Sequence, residues 1–448
     1  MRNGMAWLIC VLVFAVGGLA TWSLTRGQAP SVEDQGSRTK EGESKAIDPP
    51  ASRPAGPSSA GEPAPLVPPD AGKPAADTSA GGGSALRKQI DYSACSAAEW
   101  LFRMNGVKGR FIPGFHPSVH AIMEGDDYLR QVGAALTLAR AARYTGRKDY
   151  AARATQAVLA LLDDTVAEPD SSDSGVALRH TLLPSSPANR LAAAGLLVAA
   201  VSELPSPQED LLKKSEELCS YLRRQQQADG NLDCGTMEGG QPVVDPAAGA
   251  TALYGLMRSQ AHRPASWKTD VARKALAYYA PYWRAHKSLT FVPWQTAAWA
   301  EAFLLTKEKP FADLVGEMND WLCEQQLDQL DPRHPEWLGG FVAGKSSGAA
   351  PDATSASYAE SLAEACRVAR EAADLPRHRR YTAALELSLQ FLTTLQYTDA
   401  NTQHFILPYR QHWLVGGFHG SHLDGDLRID HTQHALCAMI QYLTSVAR

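Results

Sequence analysis

Apolar residues in this chain recur at helical spacing. Leu218, Tyr221 and Leu222 fall on one helix face, and farther on Leu385, Leu389 and Leu392 do the same. Strict alternation of apolar and polar positions, the mark of a half-buried strand, is scarce. The pattern predicts twelve helices, near 91–104, 126–146, 148–163, 187–203, 207–227, 246–261, 267–286, 293–307, 310–327, 355–373, 377–396 and 430–446. Several have readable starts. Ser186-Pro187, Ser206-Pro207 and Asp245-Pro246 each set a capping residue before a proline at the first helical position. Ser206 with Glu209, Ser357 with Glu360, and Asp430 with Gln433 have the spacing of a capping box.

The connectors alternate in length. Those after even-numbered helices are short: 144–148, 203–206, 262–267, 307–310 and 373–376. Those after odd-numbered helices are long, at 105–125, 164–186, 228–245, 327–354 and 397–429, with 288–292 the exception. Short joints make antiparallel helical hairpins. Strict alternation then puts every long loop on one face, and long loops inside a compact domain are usually functional.

A weak repeat accompanies this. Trp100-Leu101 leads to Gly109-Arg110-Phe111, and Tyr221-Leu222-x-x-Gln225 leads to Asp229-Gly230. Trp321-Leu322-x-x-Gln325 leads to Trp337, Gly340 and Phe341, and Phe391-Leu392-x-x-Leu395-Gln396 leads to Trp413, Gly417 and Phe418. A helix end turning into a glycine-containing loop is a module repeated around a ring. On these features the chain over 89–448 resembles the α/α-toroid superfamily, the six-hairpin barrels. These include glycosidases, polysaccharide lyases, sugar epimerases, terpenoid cyclases and protein prenyltransferases. The resemblance implies an all-α fold, an (α/α)6 toroid of about twelve helices. The Gln225…Asp229-Gly230 turn looks most like the cyclase and prenyltransferase branch. The acid motif D-x-D-D of squalene-type cyclases is missing, however, as is a prenyltransferase-like zinc constellation. The terminal run Gly416-Gly417-Phe418 to His434 looks closer to bacterial six-hairpin proteins associated with carbohydrates.

Charge and composition narrow the partners. The 448 residues carry a net charge of -5 and no long basic stripe, which argues against nucleic acid. Seven cysteines form no CxxC pair, so zinc-ribbon and thioredoxin-type sites are not expected. Residues 1–26 read as a transmembrane signal-anchor, because Arg2 precedes an uncharged run from Met5 to Leu24. A cleaved signal peptide is the competing reading, with Gly18-Leu19-Ala20 as a small-x-small site. Both readings place the remainder outside the cytoplasm, in the periplasm or at the cell surface. Residues 27–88 read as a disordered Pro/Ala/Gly/Ser-rich linker with no aromatic residue before Tyr92.

In toroids the second helix of each hairpin lines the inside, and its N-terminus opens to the long-loop face. The resemblance therefore directs attention to the starts of even-numbered helices. Asp430, His434, His431, Glu360 and Glu364 are the candidate catalytic residues. Arg428, Trp413, Tyr409, Trp337, Phe418, His419, Trp294, Arg190, Asp127 and Tyr358 are the candidate substrate-binding residues. Flat aromatic faces suit pyranose rings, carboxylates suit glycosidic cleavage, and histidine suits proton abstraction beside a carbonyl. Asp430 and His434 stand four apart and share a helix side, and Arg428 beside them would favour an anionic sugar. Bland readings stand beside these: Asp127 as a helix cap, Trp294 as barrel core, Glu360 as half of a capping box. No metal and no cofactor is expected, since His431-x-x-His434 lacks a third ligand at known spacing. The leading expectation is an exported, membrane-tethered enzyme acting on an envelope polysaccharide by hydrolysis, elimination or epimerisation. A non-catalytic toroid that binds or scaffolds is the alternative. A terpenoid cyclase-like enzyme with a deep apolar cavity is the third reading.

Overall fold

The computed structural model describes residues 79–169, 177–232, 245–345 and 348–446. The anchor expected at 1–26 and most of the linker expected at 27–88 lie outside them. No described helix is long and apolar enough to cross a membrane. The first six helices are α1 (Ser79–Met104), α2 (Tyr128–Thr145), α3 (Lys148–Leu162), α4 (Pro187–Glu203), α5 (Glu209–Arg224) and α6 (Pro246–Ser259). There follow α7 (Ser266–Ala285), α8 (Val292–Thr306), α9 (Lys309–Glu324), α10 (Ser355–Glu371), α11 (Leu375–Thr394), α12 (Leu407–Trp413) and α13 (Ile429–Gln441). Every predicted helix is present. The short α12 is an addition within the last long loop, and α1 starts earlier than expected, inside the predicted linker.

Helices α2, α4, α6, α8, α10 and α13 form an inner ring, each packed on the next, with α13 returning to α2. The other long helices pack outside. The reason is readable in the side chains. Inner α4 is buried along nearly its whole length, from Leu191 to Glu203. Outer α5 buries only Leu211, Leu218 and Leu222 among its apolar residues, together with Cys219, and carries charge elsewhere. Contact between α4 and α6 is closest at Gly195 and Gly255, where an added Cβ would stand 2.2 Å from the Gly195 carbonyl oxygen.

The repeated helix-end module has a definite structure. Asn105, Gln226, Gln326 and Gln396 each bridge to the residue following a tight turn, Phe111, Leu232, Phe341 and Phe418. The Gln326 side chain donates to the carbonyls of Gly339 (3.1 Å) and Ala384 (2.8 Å), and Gln396 donates to those of Gly416 and Ser93, both at 3.0 Å. Each amide thus ties its own turn to the next outer helix. The Gln396 module ties α11 to α1 and closes the outer ring. The turns hold Gly230 and Gly416 at φ of 96 and 99°, hard against the backbone of the next outer helix, where a Cβ would sit 2.1–2.2 Å from the carbonyls of Lys274 and Ser96.

Short strands organise the long loops. β1 (Gly114–His116), β2 (Ala121–Ile122), β5 (His419–Ser421) and β6 (Asp424–Arg428) form one sheet in the order β2-β1-β6-β5. β3 (Thr165–Glu168) and β4 (Leu178–Thr181) form a hairpin. Gly114 pairs with Arg428, so the loop after α1 fixes the residue that precedes α13. Two expected caps are corrected. α5 starts at Glu209 with Gln208 as its N-cap, leaving Ser206-Pro207 outside the helix. Asp430 does not cap α13, whose N-cap is Arg428. Asp245 does cap α6, accepting from the amides of Ala247 (2.9 Å) and Ala248 (3.2 Å).

Candidate functional site

The inner helices present their N-termini to the long-loop face, and a cavity of about 200 Å³ opens there. Arg130, Asn189, Asp245, Thr251, Trp294, Asp430, Gln433 and His434 line it, with a few small apolar residues of α2, α4 and α6. Asp430, His434 and Trp294 are at this mouth, while Arg428 and Trp413 are not part of its lining. Arg428 stands behind Asp430 and grips it bidentately, Nε to Oδ1 at 3.0 Å and Nη2 to Oδ2 at 2.5 Å. Arg130 Nε lies 3.4 Å from Asp430 and 3.3 Å from Asp127. Burial alone would raise the Asp430 carboxyl, but the Arg428 bonds, His431 and Arg130 hold it down to about 2.

Glu360 decides what His434 can do. The N-cap of α10 is Thr354, and the Ser357 hydroxyl donates to the Thr354 carbonyl at 2.8 Å, so the expected Ser357–Glu360 capping box does not form. Glu360 instead turns inward. Its Oε2 lies 3.0 Å from His434 Nδ1, and its Oε1 accepts from Arg140 Nη1 at 3.0 Å. Burial pushes the Glu360 carboxyl up, yet His434 and Arg140 outweigh it and hold the group below the usual carboxylate range. An ionised carboxylate only accepts, so His434 Nδ1 carries a proton and donates it. In a neutral ring this tautomer leaves Nε2 as the lone-pair nitrogen. Trp294 and this imidazole form a T-shaped pair at a centroid distance of 6.1 Å.

The other expected residues go elsewhere. His431 is largely enclosed, its Nδ1 has no hydrogen-bond partner among the described residues, and burial pushes the ring down to about 4. Glu364 belongs to the opposite end of the barrel. It accepts from Arg367 Nη1 at 2.5 Å and from Gln441 Nε2 at 2.9 Å. There Arg140, Arg143, Arg258 and Arg367 interleave with Glu203, Glu301 and Glu364 around a separate cavity of about 230 Å³. Six inner helices end at that face, and Arg143 and Arg258, in the last turns of α2 and α6, offset the negative ends of those helix dipoles. Burial raises the Glu364 carboxyl, Arg367 lowers it, and Glu301 raises it again, with a net shift upward.

Asp127 is the cap of α2, its Oδ1 accepting from the Leu129 and Arg130 amides at 3.0 and 3.4 Å. Arg190, in the first turn of α4, donates back to the Ser185 carbonyl at 2.8 Å. Tyr358 is packed edge-on against Phe341, and burial pushes its hydroxyl up to about 12. Phe418 is core, 1% exposed. Trp413 stacks on Phe115 at 4.7 Å, and Tyr409 stacks on His120 at 4.4 Å. Trp337 stacks on His334 at 3.8 Å. His419 bonds through Nδ1 to the Ser421 carbonyl at 2.7 Å, within the sheet. None of these lines the cavity. Sequence reasoning missed Arg130, Asp245 and Thr251 as lining residues, and it missed Arg140 altogether. The signal for Arg140 was a lone arginine inside the small apolar run of α2. Among the described residues no group of three or more His, Cys, Asp or Glu side chains gathers as a metal site.

No protein-family model matches the sequence, and neither does any curated protein. Solved structures do match. An unsaturated glucuronyl hydrolase of Bacillus sp. GL1, responsible for the degradation of glycosaminoglycan, aligns with TM-score 0.55 and 13% identity, over 81% of this chain and 98% of its own. A sugar epimerase from a ruminal bacterium aligns with TM-score 0.54 and 9% identity, over 81% and 98%. A D-mannose isomerase aligns with TM-score 0.54 and 11% identity, over 80% and 97%. Identities this low speak for the fold alone: residues 79–446, where described, form an α/α toroid of helical hairpins.

Proposed function

We propose that the chain is a carbohydrate-active enzyme that moves a proton on a sugar held in the long-loop cavity. The observation that carries this is the His434–Glu360 pair, backed by Arg140, at the cavity wall. General-acid hydrolysis of a glycosidic bond needs a carboxyl that stays protonated. Both Asp430 and Glu360 are held ionised, and among the described residues the interior carboxyl with a net upward shift, Glu364, lies at the far end. His434 is then the proton carrier. In the open-chain form of a sugar the C–H beside the carbonyl is acidic. His434 Nε2 takes that proton, and the electron pair shifts through the carbon–carbon bond onto the carbonyl oxygen as an enediolate. Return of the proton to the neighbouring carbon, with the hydroxyl proton passing between the two oxygens, gives the isomer. Return to the opposite face of the first carbon gives the epimer. Sugar epimerase and mannose isomerase chemistry among the structural neighbours supports this reading. A cavity of about 200 Å³ holds one ring, free or at a glycan end, since sites for drug-sized ligands run to 300 Å³ and more.

The charge-free run from Met5 to Leu24 and the Pro-rich segment behind it support an exported protein tethered to the membrane, with an envelope glycan as the source of its substrate. The test of the chemistry is proton NMR in D2O with a panel of hexoses and N-acetylhexosamines. Wild-type protein should wash deuterium into a carbon beside the carbonyl. His434→Gln should lose that exchange by about 100-fold or more. Exchange undiminished in the variant, or absent across the panel, would remove the proposal.

A further inference from the structure

The cavity's charges bear on the substrate's own charge. Two aspartates line it, Asp245 and Asp430, against one arginine, Arg130. That arginine is already shared between Asp127 and Asp430. Arg428, which from its position would greet an anionic sugar, has its bidentate fork closed on Asp430. The positive ends of three of the six inner helices are also spoken for. Asp127 caps α2, Asp245 caps α6, and Asp430 stands in the first turn of α13. Among the described residues that line the cavity, a sugar carboxylate would meet two fixed carboxylates and one guanidinium whose Nε is already shared between two others. A neutral ring meets the reverse situation. Its hydroxyls donate to the Asp430 carboxylate that Arg428 holds, which gives strong charge-assisted bonds. Asn189, Thr251 and Gln433 supply amide and hydroxyl partners, and Trp294 supplies an apolar face.

We infer that the cavity selects a neutral sugar, a hexose or N-acetylhexosamine, and rejects uronates. This rests on the reading of the cavity as the sugar site. It sets the chain apart from the glucuronyl hydrolase it resembles in fold, whose name specifies a uronyl group. It also removes β-elimination from a uronate as the chemistry, since the proton taken there is acidified by the sugar's own carboxyl group.

The test is binding to the full chain by saturation-transfer NMR and calorimetry, comparing D-glucose with D-glucuronate and D-mannose with D-mannuronate at one ionic strength. Each neutral sugar should bind at least ten-fold more tightly than its uronate. Asp430→Asn should narrow that gap by freeing Arg428, weakening the neutral sugar and strengthening the uronate. If that variant does not fold, the wild-type ratio alone decides. Equal or tighter uronate binding would overturn the inference and leave the sugar enzyme standing. No binding by either class would overturn both.

Discussion

His431 and His434 sit three positions apart on α13 and meet opposite surroundings. His434 has a carboxylate at Nδ1 and a cavity beside it, while His431 is enclosed with Nδ1 unpaired. This predicts different behaviour in acid. Burial lowers the folded His431 from the ordinary 6.5 to about 4, so between these values the unfolded chain binds the proton and the native state does not. Stability is full above pH 6.5 and is lost as pH falls toward 4. Going from pH 7 to pH 5 should cost about 2 kcal/mol, read by urea unfolding, and His431→Gln should flatten that dependence. An unchanged slope in the variant would mean that other groups set it. The sequence marked both histidines as site candidates. It could not separate them, because burial depends on what α10 and the loop before it place alongside.

At the scale of elements, the outer helices are joined by a repeated joint of one amide and one glycine. Glycine at φ 96° with Lys274 behind it leaves no room for Cβ, so Gly230→Ala should lower stability by about 1–3 kcal/mol. Gln326→Leu should cost a similar amount by stranding the carbonyls of Gly339 and Ala384. Both are measured by chemical unfolding, and neither should alter sugar binding in the cavity. A Gly230→Ala protein as stable as wild type would show the turn to be replaceable. The repeat was visible in the sequence, in register at Gln396 and Gly230 and one residue out elsewhere. Gln225 and Gln325 stood out by spacing, whereas the structure uses Gln226 and Gln326, and Gly339 and Gly416 where Gly340 and Gly417 seemed apt. Neighbouring positions on a helix end point about 100° apart, and only the adjoining helix shows which of them meets a partner.

Across the whole molecule the barrel has two chemically different ends. The long-loop end gathers helix N-termini, aspartates and an open cavity. The short-loop end gathers helix C-termini and an interleaved arginine–glutamate network. Arg258 holds that network together, donating to Glu203 at 2.6 Å and to Glu301 at 3.3 Å. Arg258→Met should therefore lower stability by about 3–5 kcal/mol, because it leaves two buried carboxylates short of a partner. His434→Gln should leave the melting temperature nearly unchanged while removing proton exchange. Calorimetric scans of the two variants side by side would separate the structural end from the working end, and a melting temperature that Arg258→Met does not shift would refute the assignment.

What the sequence determined alone was the number and order of the long helices, the alternation of short and long joints, and so the face on which a site must lie. These follow from local periodicity, prolines, caps and loop lengths, which are properties of neighbours in the chain. It also singled out Asp430, His434, Glu360 and Trp294. Tertiary structure alone decided that Glu360 serves His434 and not a capping box, that Glu364 one turn on faces the other end of the barrel, and that Arg428 is spent on Asp430. It also decided that most of the loop aromatics pack on one another away from the cavity. Those outcomes depend on the rotation of each helix about its axis and on partners as far away in sequence as Arg140 is from Glu360. No local pattern encodes them, because a side chain's charge and direction acquire their use only when the ring closes.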